Sequence, residues 1–224
     1  MNRAVTFIWL LAAWLLFVPS GNTARATQEK GQAVAVDDIA VRIEGDIITE
    51  SEIDELAAFQ KLVDGKSGNR ADVIRELTDQ WIVNNEAQTS RFARPSKEDV
   101  DEALESLTAQ IGSEDALHQR MADVGLTDEA LRRQLELQIY LNRFIDYKFR
   151  AAAQVDEQQI KDYYNGEFTQ QAKANGQTVP PLDEVHAEIH RLLTERIITD
   201  RATKWLDDAR VRLRIEILPK AGGS

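Results

Sequence analysis

The sequence predicts a mainly α fold: an elongated multi-helix domain with a small β-sheet formed by an N-terminal hairpin and the C-terminal strand. Three observations carry that expectation. Apolar residues at helical spacing, punctuated by capping and breaking residues, fill the middle of the chain. Convincing apolar–polar alternation occurs at its two ends, in Asp38–Glu44 and in Arg212–Leu218. The last helix is as long as a compact body of this size would be wide.

The strands come first. Asp38–Glu44 alternates, Gly45-Asp46 follows, and Ile47-Ile48-Thr49 resumes an apolar run. A Gly-X pair between such runs suits a two-residue hairpin turn with glycine at the positive-φ position. A two-stranded hairpin alone is marginal in water, so the C-terminal strand is expected to complete a three-stranded sheet.

The helices follow in order. Thr49 and Glu52 form a capping-box pattern that starts a helix running to about Asp64, ended by Gly65 and a Lys66–Asn69 loop. A second helix is expected over Arg70–Phe92, stopped by Arg94-Pro95. Ser96 caps a third, Lys97–Ile111, and Gly112-Ser113 separates it from a short fourth reaching about Asp123. Thr127 caps a long helix through about Arg150. A shorter one covers Asp156–Phe168.

Thr169–Pro181, with Asn175-Gly176 and Pro180-Pro181, reads as a loop. The final helix runs from Leu182 to about Arg210. Its 28 residues from Asp183 rise about 42 Å, about the diameter of a compact body of 198 residues. Its apolar face is split. Val185, Ile189, Leu192 and Leu193 lie on one side, and Ile198, Ala202, Trp205, Leu206 and Ala209 on another, which calls for two contact environments.

Composition sets the class. The chain has 224 residues, no cysteine and a net charge of −11, with 29% charged and 43% hydrophobic residues. This describes a soluble globular protein and excludes a disulfide scaffold, a thiolate metal site and a cysteine nucleophile. The acidic balance argues against a nucleic-acid partner.

Residues 1–26 stand apart. Met1-Asn2-Arg3 precedes a 15-residue apolar run, Ala4–Val18, and Ala24-Arg25-Ala26 offers a cleavage site. The layout predicts a secretory signal peptide cleaved near Ala26, hence a periplasmic or otherwise exported protein. The run is shorter than the roughly 20 residues of a spanning helix, which disfavours an uncleaved anchor and stable membrane insertion. Residues 27–37 read as a flexible lead-in and 219–224 as a tail.

A catalytic constellation is not found. There is no glycine-rich phosphate loop and no nucleophile elbow. His186 and His190 have metal-like i, i+4 spacing, but Ala187 stands where a metalloprotease helix needs glutamate, and neither a metal nor another cofactor is expected. Large apolar residues nearly encircle the second half of the long helix. Burial accounts for most of them. The functional expectation is an open apolar groove for extended peptide, lined by Phe59, Leu62, Tyr140, Phe144 and Tyr147.

The segment Asp38–Asp54, Leu77–Ala87 with its Glu86-Ala87 ending, Pro95–Asp101, Gly125–Arg132, Val155–Tyr164 and Pro181–Ile189 occur in an order and spacing that resembles SurA-type periplasmic chaperones, a group related to PrsA and PpiD. Trp81 departs from the smaller apolar residue of that pattern. The departure at Phe168–Pro180 is larger. Its 11 intervening residues replace the on the order of 100 that a parvulin isomerase domain needs.

The resemblance therefore implies residues 38–218 as one chaperone domain, with 38–168 as its N-terminal helical part, 169–181 where the isomerase would sit, and 182–218 as its C-terminal helix and strand. It implies an ATP-independent holdase for unfolded secreted or outer-membrane polypeptides, without prolyl isomerase activity. The alternative is a non-catalytic adaptor or assembly subunit for one specific secreted partner.

Overall fold

The computed structural model describes residues 37–220. The segment expected to be a signal peptide, the expected lead-in up to residue 36 and residues 221–224 lie outside the described residues. The chain is mainly helical, with one three-stranded antiparallel sheet. In order run β1 (Ile39–Ile43), β2 (Asp46–Thr49), α1 (Glu50–Asp64), α2 (Arg70–Thr89), α3 (Lys97–Ile111), α4 (Glu114–Val124) and α5 (Asp128–Phe149). A 3-10 turn (Arg150–Ala152), α6 (Glu157–Tyr163), a π-helical turn (Tyr164–Phe168), α7 (Thr169–Ala174), α8 (Leu182–Arg212) and β3 (Ile215–Ile217) follow.

The sheet joins both ends of the described chain. Its order is β2-β1-β3, with Val41 opposite both Ile48 and Ile217, and Ile43 opposite Ile215. Residues directly opposite share a face, so these rows are stacked over one side. There Ala40, Val41 and Ile48 pack on Ile53 and Leu56 of α1 and Val73 and Ile74 of α2.

The hairpin turn differs by one residue from the expectation. Ile43 pairs Asp46, which leaves Glu44-Gly45 as the turn, and the positive φ of 53° falls on Glu44 rather than Gly45. The reason lies in β3. The Glu44 N–H donates to the Arg214 carbonyl at 3.0 Å, and the Arg214 N–H donates to the Glu44 carboxylate at 2.8 Å. Glycine could supply the backbone conformation but not the carboxylate that fastens the last strand.

Helix boundaries follow their caps. Thr49/Glu52 and Ser96/Asp99 form capping boxes, as do Asn69/Asp72 and Asp156/Gln159. Asp99 also accepts both Arg143 guanidinium hydrogens, at 2.8 and 2.5 Å, tying α3 to α5. That contact, with the Ser96 amide, holds its carboxyl far below the usual range.

α2 stops at Thr89, three residues before the expected Phe92. Arg91 turns left-handed (φ 53°), and its N–H bonds the Gln88 carbonyl while that of Phe92 bonds Ala87. This is a Schellman ending without the usual glycine. It folds Phe92 back against Tyr140, Phe144 and Tyr147, with ring centroids 5.9, 5.4 and 5.3 Å away.

The expected 169–181 loop is half helix. Thr169–Ala174 forms α7, and the junctions at Tyr163, Tyr164, Phe168 and Thr169 are all right-handed helical, so residues 157–174 make one unbroken rod. Gln-Gln-Ala-Lys-Ala is a good helix former, and the Thr169 hydroxyl donates to the Tyr164 carbonyl at 2.6 Å across the π turn. The rod ends only at Gly176 (φ 68°), where Gln177 and Gly176 bond back to Ala172 and Lys173.

α8, about 46 Å long by its 31 residues, meets two environments, as its split face requires. Leu206 and Ala209 join a core with Ile82, Val83, Tyr140, Leu141 and Phe144. Val185 and Ile189 instead pack on Ile160, flanked by Tyr163, Tyr164 and Phe168. The first half of α8 therefore builds an arm with α6 and α7, and the second half docks into the body on α2 and α5.

Candidate functional site

The five residues expected to line a groove do not do so together. Leu62, Tyr140 and Phe144 are each 1% exposed. Leu62 packs among Leu107, Leu117, Met121 and Leu131. Tyr140 and Phe144 sit in the α2–α5–α8 core, with the Tyr140 hydroxyl donating to the Phe92 carbonyl at 3.4 Å and the Arg94 guanidinium over its ring. Phe59 is half-buried between two cores. Only Tyr147 is open, at 68% exposure. The aromatic excess of α5 is consumed by helices on several sides, so burial accounts for it.

The metal-like pair does not assemble. His186 Nε2 lies 3.1 Å from both carboxylate oxygens of Glu157, which engages that ring nitrogen, and His190 is exposed on α8. Among the described residues no group of three or more His, Asp or Glu is arranged to hold a metal ion.

The described residues also form surface concavities, two of which stand out. One, about 450 Å³, lies at the tip of the arm, with Phe168, Ala172 and Pro180 as its apolar part and Gln171, Asn175 and Gln177 at its edge. Its shape depends on the π turn, because the Tyr164 hydroxyl donates to the Pro180 carbonyl at 2.8 Å and holds the 175–181 turn against the rod. Tyr164 and Phe168 stack at 5.8 Å, and Arg196 of α8 clasps Glu167 with two hydrogen bonds. Its rim is uncharged and rich in amides that can pair with a peptide backbone.

The second, about 270 Å³, lies on the outer face of α8. Its floor is Phe149 and Trp205, with centroids 5.9 Å apart, and its rim is Arg201, Lys204, Asp208 and Arg212. Lys148, bonded to Glu86 at 2.8 Å, sits over the Trp205 ring at 4.9 Å and fixes the indole from below. The sequence carried a signal for this notch. Arg201, Trp205, Asp208 and Arg212 follow i, i+4, i+7, i+11 spacing, one stripe of a helix. Assigning Trp205 wholly to the core hid it.

Beneath the notch, α8 is locked to α2 by a buried ion pair. Arg210 donates to Asp79 at 2.7 and 3.0 Å, each side chain being 15% exposed. Burial pushes the Asp79 carboxyl up to about 6 against the pull of Arg210 and Arg75. Burial also raises Glu76, one turn earlier. Asp79 braces α8, which carries the notch, whereas Glu76 accepts from Gln60 of α1 at 2.7 Å. No helix among the described residues is long and apolar enough to cross a membrane. No protein-family model matches the chain, and no curated protein matches it.

Proposed function

We propose that the chain is an exported, ATP-independent chaperone that holds unfolded or extended polypeptides, including outer-membrane precursors, without catalysis. One observation carries this reading. The two far ends of the domain meet in one sheet that closes a helical body, an arm with one surface concavity is built on the first half of α8, and a second concavity lies on its second half. That is the plan the SurA-type resemblance implies. Only the 175–181 turn stands where the related chaperones insert an isomerase domain.

The binding surface in this reading is the pair of concavities rather than the five residues expected from sequence. Shallow, partly apolar depressions suit weak, sequence-tolerant contacts with flexible chains. The test is suppression of aggregation across a panel of unrelated unfolded polypeptides at near-stoichiometric chaperone and without ATP. Broad protection supports the holdase. Protection of a single protein supports an adaptor instead, and turnover of a proline peptide overturns the non-catalytic reading.

A further inference from the structure

We infer that the α8 notch selects acidic polypeptide segments: extended stretches with one large apolar side chain between two carboxylates. The inference rests on the holdase reading and names the class of client that this surface takes.

The charge around the notch is opposite to that of the protein. The whole chain carries −11, yet the rim has three cations, Arg201, Lys204 and Arg212, against one carboxylate, Asp208. Asp208 is already bonded to Lys204 at 3.0 Å. Of the acids nearby, Asp207 pairs with Arg210 and Arg75, and Asp146 pairs with Arg150; Asp200, next to Arg201 in sequence, lies about 140° around the helix from Trp205, on the side of Arg196. Arg201 and Arg212 are exposed and have no carboxylate partner among the described residues. Screening confines charge effects to about 8–10 Å, so a ligand group in the notch meets these two guanidiniums rather than the distant acidic faces.

The spacing sets the pattern. Eleven residues of helix separate Arg201 from Arg212, about 16 Å along the axis and about 20° around it. An extended peptide advances about 3.3 Å per residue. Side chains at i, i+2 and i+4 of an extended peptide share a face, so two carboxylates four positions apart, about 13 Å, come within reach of the two flexible arginine side chains, and the side chain midway between them falls over Phe149 and Trp205. The 270 Å³ volume suits a single such side chain.

The test uses a fluorescently labelled peptide of about twelve residues with a central phenylalanine and a glutamate two positions to either side of it, so that all three share one face when extended. A second peptide replaces the glutamates with lysines. Anisotropy titration of the mature protein is expected to show at least tenfold tighter binding of the glutamate peptide. The Arg201→Glu/Arg212→Glu variant is expected to lose about tenfold in that affinity. Both residues are exposed and make no ion pair among the described residues, so the fold is retained, which an unchanged melting temperature checks.

Equal affinity for the two peptides, or no effect of the charge reversal, overturns the inference. If client protection survives in that case, the holdase reading stands alone. Absence of both peptide binding and client protection overturns both. Tight binding to phosphatidylglycerol vesicles that the glutamate peptide does not displace assigns the notch to a lipid surface and also overturns it.

Discussion

Replacing Phe144 with alanine separates a core residue from a groove residue. The ring is 1% exposed and packs with Tyr140, Leu141, Leu206 and Ala209. It meets Phe92 edge-on at 5.4 Å and Tyr147 at 6.4 Å, and the Lys148 ammonium lies 5.7 Å from its centroid. Truncation removes the transfer energy of the ring and leaves a void enclosed by three helices, about 3–5 kcal/mol. The loss of the edge-on pair falls at the upper part of that range. For a domain of this size, 1 kcal/mol moves the midpoint by roughly 2–4 °C, so Phe144→Ala is expected to melt about 10–15 °C lower. Tyr147→Ala, open to solvent, is expected to shift it by less than a third as much. Urea titration and calorimetry measure both. A Phe144→Ala protein with unchanged stability and lost client binding would refute the burial argument and restore the groove.

Glu44 and Arg91 have the same φ of 53°, yet glycine is expected to act oppositely at the two positions. Arg91→Gly relieves about 1 kcal/mol of left-handed strain, partly offset by unfolded-state entropy, and is expected to raise the urea midpoint slightly. Glu44→Gly gains a similar relief but loses the bond from the Arg214 N–H to a charged carboxylate, about 1.5–3 kcal/mol, and is expected to lower stability by about 1 kcal/mol net; a rise would show that β3 does not depend on that anchor. Thr49→Ala breaks the capping box of α1 and is expected to cost about 1 kcal/mol in the same titration.

Asp79 titrates near 6 when folded against 3.8 ordinarily, so the fold favours its neutral form. Its contribution is fully present below about pH 4 and is lost as pH rises through 6, a fall on the order of 3 kcal/mol. Asp79→Asn is expected to flatten the stability profile between pH 4 and 7, and an unchanged slope would assign it to other groups.

Local chemistry made most of the fold legible. The Thr49, Ser96 and Thr127 caps, the Gly65 and Gly125 stops and the N-terminal alternating segment placed their elements within a residue or two, whereas the C-terminal strand starts at Ile215, three residues into its alternating segment, because α8 runs on to Arg212. The misses have local causes. Glu44 and Arg91 take conformations that composition assigns to glycine: Glu44 is held by its two hydrogen bonds with Arg214, and Arg91 by the backbone bonds that close the end of α2. The α7 helix was hidden by the stronger breakers just after it. The site was less legible because apolar periodicity cannot tell a face covered by helices from an open one. Tyr140, Phe144 and Tyr147 look alike in the sequence; α2 and α8 decide which of them water reaches.

The placement of β3 also governs the order in which the molecule can be completed. Arg42 and Glu216 stand 174 residues apart along the chain and meet across the sheet at 3.3 Å. Closing such a span costs about 2.5 kcal/mol more entropy than closing a ten-residue loop. The helical segments, whose contacts are mostly local, are free to form early. The free edge of β1 stays unsatisfied until the final strand has been synthesised and delivered. A chain emerging vectorially therefore carries an open strand edge until β3 arrives, and residues 215–217 act as the latch.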